Sequence, residues 1–171
     1  GSCLFETPPG LIINEYSASN CDNNGMNCGD YEDWIEIYNN SLNPIDLEGY
    51  YLSDKVDNLF KWSFPSSLVV NPMSYVVVYA SGLHPDLASS ANNTSFKLTQ
   101  TKNNEYIILS NPAGEILDYR QLEHHQVNHS VGRGLMSGEW SLFVDPTPGA
   151  INANSPAYAD YINTPVFNLE S

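Results

Sequence analysis

Apolar and polar positions in this chain alternate far more often than they recur at helical spacing. The clearest case is Asp33-Trp34-Ile35-Glu36-Ile37-Tyr38. Side chains of a strand alternate between faces, so Ile35 and Ile37 point to one side and Trp34, Glu36 and Tyr38 to the other. Asn39-Asn40-Ser41 then stops the strand, because short polar side chains compete for backbone hydrogen bonds. Upstream, Leu11-Ile12-Ile13-Asn14-Glu15-Tyr16 predicts a first strand buried at its start. Downstream, Ile45 to Leu52 reads as a strand whose Gly49 marks a bulge or a close backbone approach.

Phe60-Lys61-Trp62-Ser63-Phe64 alternates aromatic with polar, which predicts three rings facing one core. The unbroken run Tyr75 to Ala80 predicts a mid-sheet strand covered on both faces. Phe96 to Thr99 reads as a short strand. Glu105 to Ser110 pairs with Glu115 to Tyr119 across the hairpin loop Asn111-Pro112-Ala113-Gly114. Trp140 to Phe143 is the last core segment. No window carries apolar residues at helical spacing over three turns. Turn signals recur about every ten residues, the rhythm of an all-β sandwich or barrel.

Charge sharpens the picture. Of the 171 residues, 6 are basic and 20 acidic, a net charge of −14. Such a chain repels phosphate backbones, which argues against nucleic acid as a partner. Cys21 and Cys28 bracket a turn-forming hexapeptide and read as a disulfide loop, with two free thiols as the alternative. A disulfide would place the protein in an oxidising compartment, secreted or at the cell surface. Cys3 is a candidate lipid-carrying cysteine of a processed bacterial lipoprotein, the one route to a membrane that the sequence offers.

The ordered motifs resemble a known family. They are Ile12-Ile13-Asn14-Glu15, Asp33 through Asn39, Leu47 through Asp54, Trp62-Ser63-Phe64-Pro65, Tyr75 through Gly82, Phe96-Lys97-Leu98, Ser130-Val131-Gly132-Arg133, and Trp140 through Asn152. In this order they are similar to a bacterial lamin-tail domain. The resemblance spans about residues 10–152, after a leader over 1–9 and before an extension over 153–171. It implies an immunoglobulin-like β-sandwich and a secreted or surface setting beside catalytic modules. Thr164 to Ser171 resembles the opening of the chitobiase C-terminal-like sandwich found in CotH-like proteins, as if the domain were cut from a larger one. The family supplies no agreed catalytic residues.

Several groups could carry chemistry. Asp30, Glu32 and Asp33, with Asp54 and Asp57 on a second loop, form a candidate calcium set, since calcium takes hard oxygen ligands. The competing reading is a solvated acidic face, with no cofactor at all. Glu32 and Glu36 share a strand face and could serve as a hydrolytic pair. His124, His125 and His129 read as exposed loop histidines rather than zinc ligands. Arg133 reads as a structural residue paired with a carboxylate. Tyr31, Tyr38 and Tyr50, like Tyr158 and Tyr161, fall at polar or outward-phased positions where aromatics often mark sugar or protein contacts. The expectation is a non-catalytic accessory module that binds a protein or glycan, with a calcium-dependent hydrolase as the alternative.

Overall fold

The computed structural model describes residues 10–22, 28, 31–83, 92–102, 104–134, 138–152 and 157–161. Among the described residues twelve strands form an immunoglobulin-like β-sandwich, and none is helical apart from one isolated 3-10 position. The larger sheet contains β1 (Leu11–Ser17), β2 (Asp33–Asn39), β7 (Ser74–Ala80), β10 (Ser130–Arg133), β11 (Trp140–Phe143) and β12 (Ala157–Tyr158), in the order β12-β11-β10-β1-β2-β7. Facing it is a four-stranded sheet of β4 (Tyr51–Ser53), β5 (Trp62–Ser63), β8 (Tyr106–Ser110) and β9 (Ile116–Gln121), in the order β5-β4-β8-β9. A two-stranded ribbon, β3 (Ile45–Asp46) with β6 (Val69–Val70), completes the fold.

Between the sheets lies one apolar core. Ile13, Ile35, Ile37, Val78 and Val131 enter it from the larger sheet, and Leu52, Trp62, Ile107 and Leu109 from the smaller. Ile35 and Ile37 are fully buried, which contributes about 1.5–3 kcal/mol each relative to exposure. Leu47, Phe64, Val70, Phe96 and Leu98 close the core from connecting segments.

The predicted hairpin is present: β8 and β9 pair across residues 111–114, and Gly114 takes a positive φ of 80°. Gly49 is indeed a close approach; a side chain there would meet Pro112 at 3.3 Å, and its φ is 78°. Four expectations are corrected. The run Ile45 to Leu52 is not one strand but two, β3 and β4, in different sheets and parted by the turn at Glu48-Gly49. Phe60 does not join Trp62 and Phe64 in the core; it is 54% exposed and packs edge-on against Tyr51. The strand regularity that would have aligned it begins only at Trp62. The β7 run is not central but stands at the edge of its sheet, where Tyr79 exchanges backbone hydrogen bonds with Asn92 and Thr94. Phe96 to Thr99 forms no strand, although Phe96 and Leu98 are buried.

The β1–β2 ladder carries an irregularity that matters below. Ile13 pairs with Ile37 and Glu15 with Glu36, so Asn14 is one residue too many on β1. Such a bulge lets two neighbouring side chains oppose one. It brings Asn14 and Glu15 to Glu36, on the face of the larger sheet turned away from the core.

Candidate functional site

The first polar constellation is buried. Glu15 and Glu36 have no exposed surface. Glu15 accepts hydrogen bonds from Ser130 Oγ at 2.5 Å, from Thr147 N at 3.1 Å and from Thr147 Oγ1 at 3.0 Å. Glu36 accepts from Asn14 Nδ2 at 2.7 Å and from Gly149 N at 2.5 Å. Asn152 ties the set together, accepting from Thr147 Oγ1 and Asn14 Nδ2 and donating to the Arg133 carbonyl. Gly132 leaves the necessary room, since a Cβ there would lie 2.7 Å from Asn152 Nδ2.

Burial raises both acids. Desolvation pushes Glu36 up to about 7, against the lowering effect of its two donors, and the Glu15 charge adds to the rise. Glu15 is raised for the same first reason, with Ser130 and Thr147 opposing. Both are shifted from their solution behaviour because segment 147–152 covers them. Every polar contact around them is a structural hydrogen bond, so the pair anchors that segment to the sheet.

A second constellation faces solvent. Ser19, Asn20, Cys21, Cys28, Tyr31, Glu32, Asp33, Lys97 and Val127 line a crevice of about 240 Å³. Its wall includes a disulfide joining Cys21 to Cys28. Hydrogen bonds hold the floor. Asn20 Nδ2 donates to the Glu32 carbonyl at 3.2 Å, Cys21 N to Asn128 Oδ1 at 2.8 Å, and Asn128 N back to the Ser19 carbonyl at 2.8 Å. Asp33 is raised to about 6, chiefly by burial, although the Leu98 N–H, the Lys97 charge and the Asn20 amide favour its anion. Lys97 Nζ stands 3.9 Å from Glu32 Oε2. Tyr31, 48% exposed, forms part of the rim. The crevice offers donors, acceptors and one ring, with its acid and its base engaged by neighbours.

The lamin tail domain family model matches residues 6–124, well over half of the chain. The chain belongs to the lamin tail domain family. No curated protein matches it in sequence.

Beyond residue 124 the larger sheet continues. Strands β10, β11 and β12 extend it, and segment 147–152 caps Glu15 and Glu36. The resemblance motifs at Ser130 to Arg133 and at Trp140 to Asn152 therefore belong to the same sandwich as the rest.

The structure divides the proposed acidic set. Glu32 and Asp33 line the crevice, whereas Asp54 pairs with Lys61 at 2.5 Å and Asp57 is exposed. Asp30 lies outside the described residues. Among the described residues no three His, Cys, Asp or Glu side chains gather as metal ligands. Glu32 and Glu36 are not a facing pair: the first lies at the crevice and the second is buried under segment 147–152.

Of the tyrosines, Tyr31 alone belongs to the crevice. Tyr38 stacks on Tyr75 with ring centroids 4.5 Å apart, and Tyr50 packs against the core. Tyr161 also packs on the core, and its hydroxyl oxygen accepts from Gln126 N. The histidines depart from expectation in two cases: His125 is buried, and His129 is half-buried and stacked on Tyr161. His124 is exposed, but His125 is 1% exposed. Its Nε2 accepts from Ala18 N at 2.9 Å, so Nδ1 carries the proton toward the Gln126 carbonyl at 2.8 Å. Burial accordingly lowers its pKa.

Arg133 is structural, as its sequence context predicts. Its guanidinium meets both Asp118 oxygens at 2.9–3.0 Å, and its Nε donates to the Ile13 carbonyl at 2.9 Å. Asp118 Oδ2 in turn accepts the Ile13 N–H at 2.9 Å. One ion pair thus fastens β9 to β10, from one sheet to the other, and both partners bond to the Ile13 backbone of β1 beside the bulge. Sequence reasoning missed Asn20 and Lys97 as crevice residues. Their role depends on loops that meet only in the folded chain.

Proposed function

We propose that this domain is a non-catalytic interaction module of an exported or surface-attached bacterial protein. It contacts a protein or glycan partner through the crevice beside the disulfide. The observation that carries the reading is the state of the crevice's charged groups. Glu32 is matched by Lys97, and Asp33 by the Leu98 N–H and Asn20. Catalysis needs a poised nucleophile or an acid–base pair converging on one point. Charged groups engaged by neighbours in this way suit recognition instead. The Cys21–Cys28 disulfide supports an oxidising compartment. Lipid attached at Cys3 would tether the module to a membrane surface. The charge of −14 argues against nucleic acid.

The test pairs a broad hydrolase screen with a surface-protein pull-down and a glycan array. Retention of a partner by the wild type, lost on Tyr31→Ala or Lys97→Glu, supports the reading. Turnover that disappears in Glu32→Gln or Glu36→Gln overturns it in favour of a hydrolase.

A further inference from the structure

The outward face of the four-stranded sheet is unlike the rest of this acidic molecule. Cross-strand partners share a face. Tyr51 pairs with Ser63 and with Ser110, Ser53 with Ile108, Ile108 with Tyr119, and Tyr106 with Gln121. These residues lie opposite Leu52, Ile107 and Leu109, which fill the core. None of these positions carries a charge, and Ser53, Ile108 and Ser110 among them are buried, so the part of the face open to solvent is its β9 side together with Phe60. The two charged residues of β9 turn inward instead: Asp118 to Arg133, and Arg120 onto the Trp140 ring at 4.7 Å. What β9 shows to solvent is Leu117, 42% exposed, and Tyr119, 63% exposed. Phe60 extends the surface, with its ring perpendicular to Tyr51 at 4.9 Å.

We propose that this uncharged aromatic face binds a neutral polysaccharide chain. The inference rests on the reading of the domain as an interaction module, and it adds a second surface with a named ligand class. Three physical arguments favour that ligand. Exposed aromatic rings bury the C–H faces of sugars while the tyrosine hydroxyls remain wet. Hydroxyls and the Gln121 amide beside the rings can exchange hydrogen bonds with sugar hydroxyls, and no ion must lose its hydration. The surrounding charge of −14 repels anionic polymers but leaves neutral ones unaffected.

The experiment is a depletion assay with the whole chain on insoluble cellulose, chitin and starch, with polygalacturonate as the anionic control. The wild type should be depleted by at least one neutral polymer and should stay bound in high salt. Tyr119→Ala and Phe60→Ala should each weaken binding about tenfold, with thermal melts confirming that both variants fold. Leu42→Ala, 85% exposed on the turn after β2, should bind the polymer as the wild type does. Absence of binding to every neutral polymer overturns the inference, and so does unchanged binding by both aromatic variants. If no polymer binds while a protein partner is still retained through the Tyr31 crevice, the inference fails and the interaction-module reading stands. If neither is retained, both fail.

Discussion

Glu15 and Glu36 stand opposite one another in the β1–β2 ladder, and each holds the same distant segment, the first through Thr147 and the second through Gly149. Two acids side by side without exposed surface are costly when both are ionised. Here the backbone and hydroxyl donors of segment 147–152 offset part of that cost.

The pH dependence follows from the direction of these shifts. A carboxyl raised from 4.5 to about 7 in the folded state binds its proton more tightly than in the unfolded chain. Its favourable contribution is therefore complete below about pH 4.5 and lost as pH rises through 7. Glu15 and Asp33 act in the same direction, while His125, lowered by burial, acts in the opposite one. The difference between variants isolates the effect. Glu36→Gln should gain stability relative to the wild type as pH rises from about 5 to 8, by on the order of 3 kcal/mol at most. Urea unfolding across that range measures it, and parallel curves for both proteins would refute it.

Segment 147–152 should be indispensable although the family match ends before it. Thr147→Val removes the hydroxyl that donates to Glu15 and contacts Asn152. Leaving buried acceptors unpaired costs about 1–3 kcal/mol, readable as a lower urea midpoint. A chain ending at residue 124 lacks β10, β11 and the whole segment and should show no cooperative unfolding transition. A sharp transition in that fragment would contradict the account.

Arg133→Lys tests the fastening between the sheets. Lysine keeps the charge but cannot span both Asp118 oxygens while donating to the Ile13 carbonyl. The expected loss is about 2–3 kcal/mol. A loss below half a unit on the same scale would mean that the ion pair is incidental.

The disulfide predicts one free thiol, from Cys3, when the unreduced protein is unfolded and titrated with Ellman's reagent. Three thiols would exclude the bridge. Closing so short a loop restricts the unfolded chain by ~2.5 kcal/mol, so reductant should lower the melting temperature by several degrees.

What the sequence made legible was local. The alternation in Asp33 to Tyr38, the Asn111–Gly114 hairpin loop and Gly49 all announce their geometry through neighbours a few residues away. Glu36 did not, because the segment that buries it lies 113 residues downstream. The Asn14 bulge was equally silent. It lets both Ile13 and Tyr16, three residues apart, point into the core, a phase slip that strict alternation forbids. Edge or centre was also beyond reach for Tyr75 to Ala80, since β-branched runs look alike wherever packing covers them. For the crevice, Tyr31, Glu32, Asp33 and both cysteines could be named from a charged, turn-rich stretch. Asn20 and Lys97 could not, because nothing local says that residue 97 returns to residue 32.

Trp140 lies between two guanidinium groups, Arg120 and Arg133, each 4.7 Å from its ring. One arrives from the four-stranded sheet and the other belongs to the same sheet as the indole. Indole emission responds to nearby cations, so the molecule carries its own optical gauge of sheet separation. A fluorescence change that precedes the loss of far-ultraviolet circular dichroism would reveal a stage in which the layers part while each remains intact.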